Sequence, residues 1–237
     1  MINPISTCIE SIRFRYNTSS SERFIKYLRD AGVSIGEGVT FYEPRTVVVD
    51  TTRPCLVTIG NNVGITRGVV IWTHAADWHV LRELYGRPFG SAGGVTIKDN
   101  VFLGTNSILL KGVTIHENCI IGAGSVVTRD VPPGSVAAGN PMRVIMTMEE
   151  YYKKREEKQV QEASEYARAI YERYNRQPVP EDFKEFFDLF LERDPAKFGG
   201  IPVRKQVGRH YRKFMSSQPV FRSFEEFLGH SGIGGRG

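Results

Sequence analysis

The chain has 237 residues, is 41% hydrophobic and 24% charged, and carries a net charge of +5, a composition that fits a globular protein with a sizeable core. No apolar run approaches the roughly 20 residues needed to span a bilayer, and the N-terminal stretch lacks the continuous apolar segment of a signal peptide. The excess positive charge is too small and dispersed to indicate a nucleic-acid partner. Cys8, Cys55 and Cys119 have no paired spacing, so reduced thiols and a cytoplasmic location are expected.

In chain order, the first predicted element is a helix over Ser20–Ala31. Ser19 to Ser21 supply a cap, Phe24, Leu28 and Ala31 share a face, and Gly32 suits the end. Such a helix would cover the open edge of whatever follows.

From residue 33 the pattern changes. Counting by sixes from Ile35 gives Phe41, Val47, Arg53, Ile59, Ile65 and Ile71. The later set is Ile97, Leu103, Leu109, Ile115, Ile121 and Val127. A small or β-branched partner stands two positions before most of them, as in Val95, Val101, Ser107, Val113, Cys119 and Ser125. Neither a helical period of 3.6 nor a strand period of 2 gives this. A chain that turns a corner at every sixth position does, and three such units close one triangular coil of a solenoid. Arg53 beside Pro54 predicts a bulge or loop at Thr51–Pro54. The step from Ile71 to Ile97 is not a multiple of six, so the chain must leave the coil and return within 72–94. A long excursion on a rigid scaffold is a favoured place for function.

Pro132, Pro133 and Gly134 interrupt the coil, and Asn140-Pro141 marks the turn out of it. Helical spacing follows. Thr147 with Glu150 has capping-box spacing, and Val160, Ala163, Ala167, Ile170 and Tyr174 form one stripe. Pro180 is placed to open a second helix with Phe183, Phe187 and Phe190 along one face. Ser223 with Glu226 is placed to start a third, carrying Phe224 and Phe227. The Gly-rich tail, Gly229–Gly237, is expected to be mobile. Three regions result: an N-terminal helical cap over 1–32, the coil over 33–145 with its excursion at 72–94, and a helical extension over 146–237.

The run VTIKDNVFLGTNSILLKGVTIHENCIIGAGSVVTRDVPPGSVAAGNPMRVI resembles the closing coils of the left-handed β-helix, or hexapeptide-repeat, acyltransferases. The similarity is to galactoside and maltose O-acetyltransferases through residues 56–145. The whole chain, with WTHAADWHVLRELYG and the helical tail, is more like O-acetyltransferases of capsule and O-antigen loci. The fold implied is an all-β core with helical additions: a left-handed parallel β-helix (a three-sided solenoid) with an N-terminal helix and a C-terminal helical extension. Handedness comes from the resemblance alone, since parallel crossovers are usually right-handed.

The resemblance implies transfer of an acetyl group from acetyl-CoA to a sugar hydroxyl, by a homotrimer, without a metal. A sugar hydroxyl is a weak nucleophile and needs a general base, a role that suits imidazole near neutral pH. His74, at the start of the excursion, matches the family's catalytic histidine, and Asp77 is placed to orient its ring. Thr105 and Ala123 match positions that contact the pantetheine arm. Thr128, Arg129 and Arg143 match positions that contact the nucleotide end, where a cation suits phosphate. For the acceptor, Trp78, His79, Arg82 and Tyr85 offer stacking and hydrogen bonds. Asp50 lies near the family's acceptor-contacting polar positions, although the local spacing differs from that of the galactoside enzymes. An N-acetyltransferase acting on an amino sugar, or a transferase of another acyl group, has the same signature. A metal enzyme of the γ-carbonic-anhydrase kind would need a third histidine besides His74 and His79, and residues 33–45 contain none. A non-catalytic trimeric scaffold would have no use for His74 beside a coenzyme groove.

Overall fold

A computed structural model of the chain describes residues 13–233. It divides into two compact units, Met1–Tyr151 and Tyr152–Gly237.

In the first unit, helix α1 (Ser21–Asp30) is capped by the Ser20 side chain, which accepts from the Arg23 N–H, and it buries Phe24 and Leu28. The Phe24 ring meets Phe41 of the first coil edge-on at 4.9 Å, so the helix closes that end of the core. Twelve short strands then visit three parallel sheets in strict rotation. One sheet stacks β1 (Ser34–Ile35), β4 (Val57–Ile59), β9 (Val95–Ile97) and β12 (Thr114–Ile115). A second contains β2 (Thr40–Phe41), β5 (Gly64–Ile65), β10 (Val101–Leu103) and β13 (Cys119–Ile121). The third contains β3 (Val48–Val49), β6 (Val70–Ile71), β11 (Ile108–Leu109) and β14 (Val126–Val127). Each strand ends on an inward residue, and Ile59, Ile65, Ile71, Ile97, Leu103, Leu109, Ile115, Ile121 and Val127 are all at most 1% exposed. Each such side chain contributes about 1.5–3 kcal/mol of burial, so the stacked columns are the core.

The later coils keep a register of three repeat units: Val101 pairs with Cys119, and Ile108 with Val126. Their corners are tight. A Cβ on Gly104 would lie 2.6 Å from the Ala123 nitrogen of the next coil, closer than atoms can approach, so only glycine fits. A second corner carries an amide ladder, Asn62 to Asn100 (2.8 Å) and Asn100 to Asn118 (2.7 Å), with all three residues in the left-handed region.

The first coil departs from counting by sixes in one respect. Val49, not Val47, pairs with Ile71, because a 3-10 turn at Pro44–Thr46 adds residues at that corner. A second 3-10 turn, Pro54–Leu56, follows the expected break. The excursion is also more ordered than a loop. Strands β7 (His74–Ala75) and β8 (Ser91–Ala92) pair antiparallel, with helix α2 (Trp78–Tyr85) between them. The coil ends in β15 (Ser135–Ala138), paired antiparallel with β16 (Arg143–Thr147).

Helix α3 (Met148–Tyr174) begins at the Thr147/Glu150 box, in which each residue's side chain takes the other's backbone N–H. Within the second unit Ala163, Ala167 and Ile170 are buried as the stripe requires, whereas Tyr174 is exposed. The helix expected after Pro180 is two short 3-10 turns instead, Pro180–Phe183 and Phe187–Leu189. The three phenylalanines are nevertheless buried, because the turns project them into one aromatic core with Phe227 of a later helix. Helices α4 (Val203–Val207), α5 (Tyr211–Met215) and α6 (Phe224–His230) complete the unit, and the Ser223 side chain caps the last. The tail is ordered further than expected: Ser231 and Ile233 are buried. The rest of it, residues 234–237, lies outside the described residues, as does Cys8.

Candidate active site

The site forms where two successive strands of one sheet end. Val49 and Ile71 lie side by side, and the Asp50 N–H continues the ladder to the Ile71 carbonyl at 3.0 Å. Both chains then break register, one into the turn at 51–54 and the other into the excursion. These breaks fold over Asp50, whose side chain is fully buried. Its Oδ1 accepts from the backbone N–H (3.0 Å) and hydroxyl (2.6 Å) of Thr52. Its Oδ2 accepts from the Thr73 N–H (3.2 Å) and hydroxyl (2.5 Å), and lies 2.6 Å from His74 Nδ1.

Burial pushes the Asp50 carboxyl up, but the hydrogen bonds from Thr52, Thr73 and His74 outweigh it and hold the group well below the usual carboxylate range. The group is therefore an anion that can only accept. In the neutral imidazole the proton of this contact then lies on Nδ1, and the lone pair is on Nε2. The imidazole is fixed from three sides. Asp50 holds Nδ1, the Trp72 ring stands edge-on at 5.9 Å, and pairing with Ala92 holds the backbone. The Gly93 N–H, bonded to the Thr73 carbonyl at 2.9 Å, ties the returning chain to the same spot. His74 remains partly exposed at 24%, so the ring is reachable.

This arrangement corrects two expectations. Asp77 does not orient His74: it is an exposed residue at the start of α2 whose side chain makes no cap, while the partner of Nδ1 is Asp50. Nor is Asp50 placed to bind an acceptor, because both its oxygens are taken by donors of this chain and none of it faces solvent. Thr73, which sequence reasoning passed over, holds Asp50 through two hydrogen bonds.

His74 opens into a groove of about 530 Å³, lined by Trp72, His74, Ala75, Ala76, Leu110, Lys111 and Thr128. The ladder explains this lining. The Trp72 N–H bonds to the Leu109 carbonyl and that of Leu110 to the Val127 carbonyl, so Trp72, Leu110 and Thr128 occupy one outward position in successive coils. Lys111 was also missed. It stands one full coil before Arg129, the cation that was singled out, so the coil period itself was the signal that would have found it.

The groove thus joins His74 with Thr128 but not with the rest of the expected coenzyme set. Thr105 and Ala123 stack on one corner, linked by the Gly124 N–H to the Thr105 carbonyl at 2.8 Å, between the second and third sheets. The groove lies at the next corner. Arg129 and Arg143 are exposed outside the groove lining, Arg143 donating to the Met142 carbonyl. The expected acceptor residues lie along α2 and do not line the groove either. Arg82 packs over the Trp78 ring at 5.7 Å, contacts His79 Nδ1 at 3.3 Å and pairs with Glu83, and Tyr85 is exposed. Among the described residues, no group of three or more His, Cys, Asp or Glu side chains is gathered as metal ligands.

Comparison with known proteins gives this geometry a setting. Residues 94–129 match the bacterial transferase hexapeptide (six repeats) family model. Protein CapG of Staphylococcus aureus is 38% identical over 152 residues, 64% of this chain and 83% of CapG. The polysialic acid O-acetyltransferase of Escherichia coli O1:K1 / APEC is 43% identical over 114 residues, 48% of this chain and 36% of that protein. The chain thus spans most of the first relative but about a third of the second. A galactoside acetyltransferase solved in complex with coenzyme A is 28% identical, with a TM-score of 0.42, over 59% of this chain and 78% of that one. With its repeat region matched and 83% of CapG covered at 38% identity, the chain belongs to the bacterial hexapeptide-repeat transferase family.

Proposed function

We propose that this chain is an acetyl-CoA-dependent O-acetyltransferase whose acceptor is a hydroxyl of a surface-glycan sugar or its precursor, with His74 as general base. The observation that carries the reading is the Asp50–His74 pair: a buried carboxylate anion on Nδ1 and a lone pair on Nε2, opening into a groove that holds a lysine. Nε2 takes the proton of the acceptor hydroxyl as its oxygen attacks the thioester carbonyl. The tetrahedral oxyanion collapses, the C–S bond breaks, and the proton on Nε2 passes to the departing thiolate. The carboxylate of Asp50 steadies the imidazolium between these steps, as the third member does in nucleophile–base–orienter sets. The Lys111 ammonium lends the groove the sign of charge that a phosphate-bearing donor requires.

The coil is taken to be left-handed, as in the family resemblance, and the chain to work as a homotrimer. The outward rows of the three faces support the homotrimer. Thr58, Thr96 and Thr114 line one face, whereas Val48, Val70, Ile108 and Val126 line the third, and Phe102 and Ile120 stand on the second. Two apolar faces on one prism allow a heterologous contact that closes into a ring. Such a contact would bring the Thr105/Ala123 corner of one subunit toward the His74 groove of its neighbour. Helix α2 buries none of its residues within the chain, although Val80 and Leu84 are apolar, and a neighbour would cover it.

The test is thiol release from acetyl-CoA with a panel of nucleotide sugars, oligosaccharides and amino sugars, read with and without His74→Ala. Transfer to a hydroxyl that His74→Ala abolishes is the expected result. Transfer only to an amino group would replace the O-acetyl reading by the N-acetyl one, and normal turnover in His74→Ala would remove the proposed base.

A further inference from the structure

From Pro195 through Phe224 the chain holds seven Lys or Arg side chains and not one Asp or Glu, against a net charge of +5 for the whole chain. The charge that looks dispersed over the full sequence is thus concentrated here. Two of the seven have other duties or positions: Lys197 pairs with Glu192 at 2.6 Å, and Arg222 stands apart beside α6. The other five, Arg204, Lys205, Arg209, Arg212 and Lys213, fall on α4, α5 and the turn between them, together with His210.

These groups sit on two short helices joined by one turn. The chain reverses at Gly208, which adopts φ +56, and the Arg204 guanidinium on α4 lies over the Tyr211 ring of α5 at 4.5 Å. Arg209 Nε lies 3.3 Å from His210 Nε2 within the turn. All five cations are exposed, and none of them pairs with an acidic side chain among the described residues. By contrast, the Arg193 side chain in the same unit is only 8% exposed, pairs with Asp188 and lies over Phe214 at 4.0 Å. The unit therefore has structural cations with partners and a separate group left without them. Five adjacent like charges repel one another, and a multivalent anion is what offsets the repulsion.

We infer that this surface of the C-terminal unit binds an acidic polysaccharide chain, through repeated carboxylate or phosphate groups, and tethers a polymeric acceptor to the enzyme. The inference rests on the glycan-acceptor reading above and narrows it to anionic glycans. Two other polyanions fit less well. A membrane surface calls for a long amphipathic helix with an apolar face to bury, and α4 and α5 have five residues each, with Val203 and Phe214 buried and Val207 and Met215 packed against the unit's own core. A nucleic-acid strand calls for open aromatic platforms, whereas here the Tyr211 ring lies beneath Arg204 and Phe214 is buried.

The experiment measures binding of the full chain to polygalacturonate, to neutral dextran, to phosphatidylglycerol vesicles and to a single-stranded oligonucleotide. It is repeated with Arg204, Lys205, Arg209, Arg212 and Lys213 each changed to Gln, and with Arg45→Gln and Lys184→Gln as a control for loss of charge elsewhere. The expected result is binding to polygalacturonate, not dextran, that weakens steeply as salt rises toward about 0.3 M and falls about tenfold or more in the five-site variant but not in the control. A two-site variant, Arg209→Glu with Arg212→Glu, should weaken binding as well, and circular dichroism checks that both variants are folded. Absence of binding, equal binding by the five-site variant, or tighter binding to vesicles or oligonucleotide would overturn the inference. The two readings fail separately. An unaltered chain that binds the polymer but transfers no acetyl group to any acceptor counts against the acetyltransferase, whereas transfer to a monosaccharide without polymer binding counts against the tether alone.

Discussion

The coils that carry Val95 to Val127 and those that carry Ser34 to Ile71 are built from the same hexapeptide unit, yet they differ in regularity. In the later coils every register spans three units and each inward position repeats its neighbour. In the earlier coils the register slips at Pro44–Thr46, breaks again after Asp50 and departs altogether after Ile71. The two residues of the proposed catalytic pair stand at the last two of these breaks. A regular coil points each side chain either into the core or straight out, and neither direction brings two polar groups together under cover. The breaks supply what regularity denies: backbone that folds over a carboxylate and five donors aimed at it.

The sharpest test of this contrast sits on the irregular side. His74→Ala should lower acetyl transfer by about 10²–10⁴, the usual contribution of a general base, with coenzyme A still bound in a calorimetric titration. On the regular side, Leu103→Ala should leave a cavity and cost about 2–5 kcal/mol in chemical denaturation. Gly104→Ala should also destabilise, because its Cβ meets backbone rather than a movable side chain. If either were tolerated without loss, the late coils would not be the rigid partner in the comparison.

Asp50→Asn should reduce kcat by about 10–100-fold, as loss of an orienting partner does at other sites. It should also change the acid side of stability. The Asp50 carboxyl titrates below its unfolded value of about 3.9, so its contribution is present above that pH and is lost as pH falls toward its folded value. The stability gap between the parent chain and Asp50→Asn, measured by denaturation across pH 3–7, should hold above about pH 5 and shrink below about pH 4. Lys111→Gln should raise KM for acetyl-CoA several-fold, about 1 kcal/mol of charge-assisted contact, with kcat little changed. Asp77→Ala, smallest of all, should leave both constants near their starting values; a loss matching that of Asp50→Asn would return the orienting role to Asp77.

Much of the coil was legible because its period is local. Counting by sixes found Ile59, Ile65, Ile71 and every inward residue from Ile97 to Val127, and it located both the break beside Pro54 and the excursion at 72–94. It placed Val47 where Val49 stacks because a 3-10 turn changes the count without changing composition. Beyond the coil the capping pairs Thr147/Glu150 and Ser223/Glu226 were readable, since a cap involves near neighbours in the chain. The form taken by Phe183 to Phe190 was not, because aromatic side chains at helical spacing are buried as readily from successive turns.

By itself the sequence determined that the chain coils, where it leaves the coil, and that an imidazole stands at the point of departure. Only the tertiary structure decided which carboxylate meets that imidazole. The stretch between Asp50 and His74 includes an insertion, so no period can be counted from one to the other, whereas Asp77 is near in sequence and faces elsewhere. Hydrogen bonding and burial act through space, and the partner of His74 was chosen by the stacking of one coil on the next.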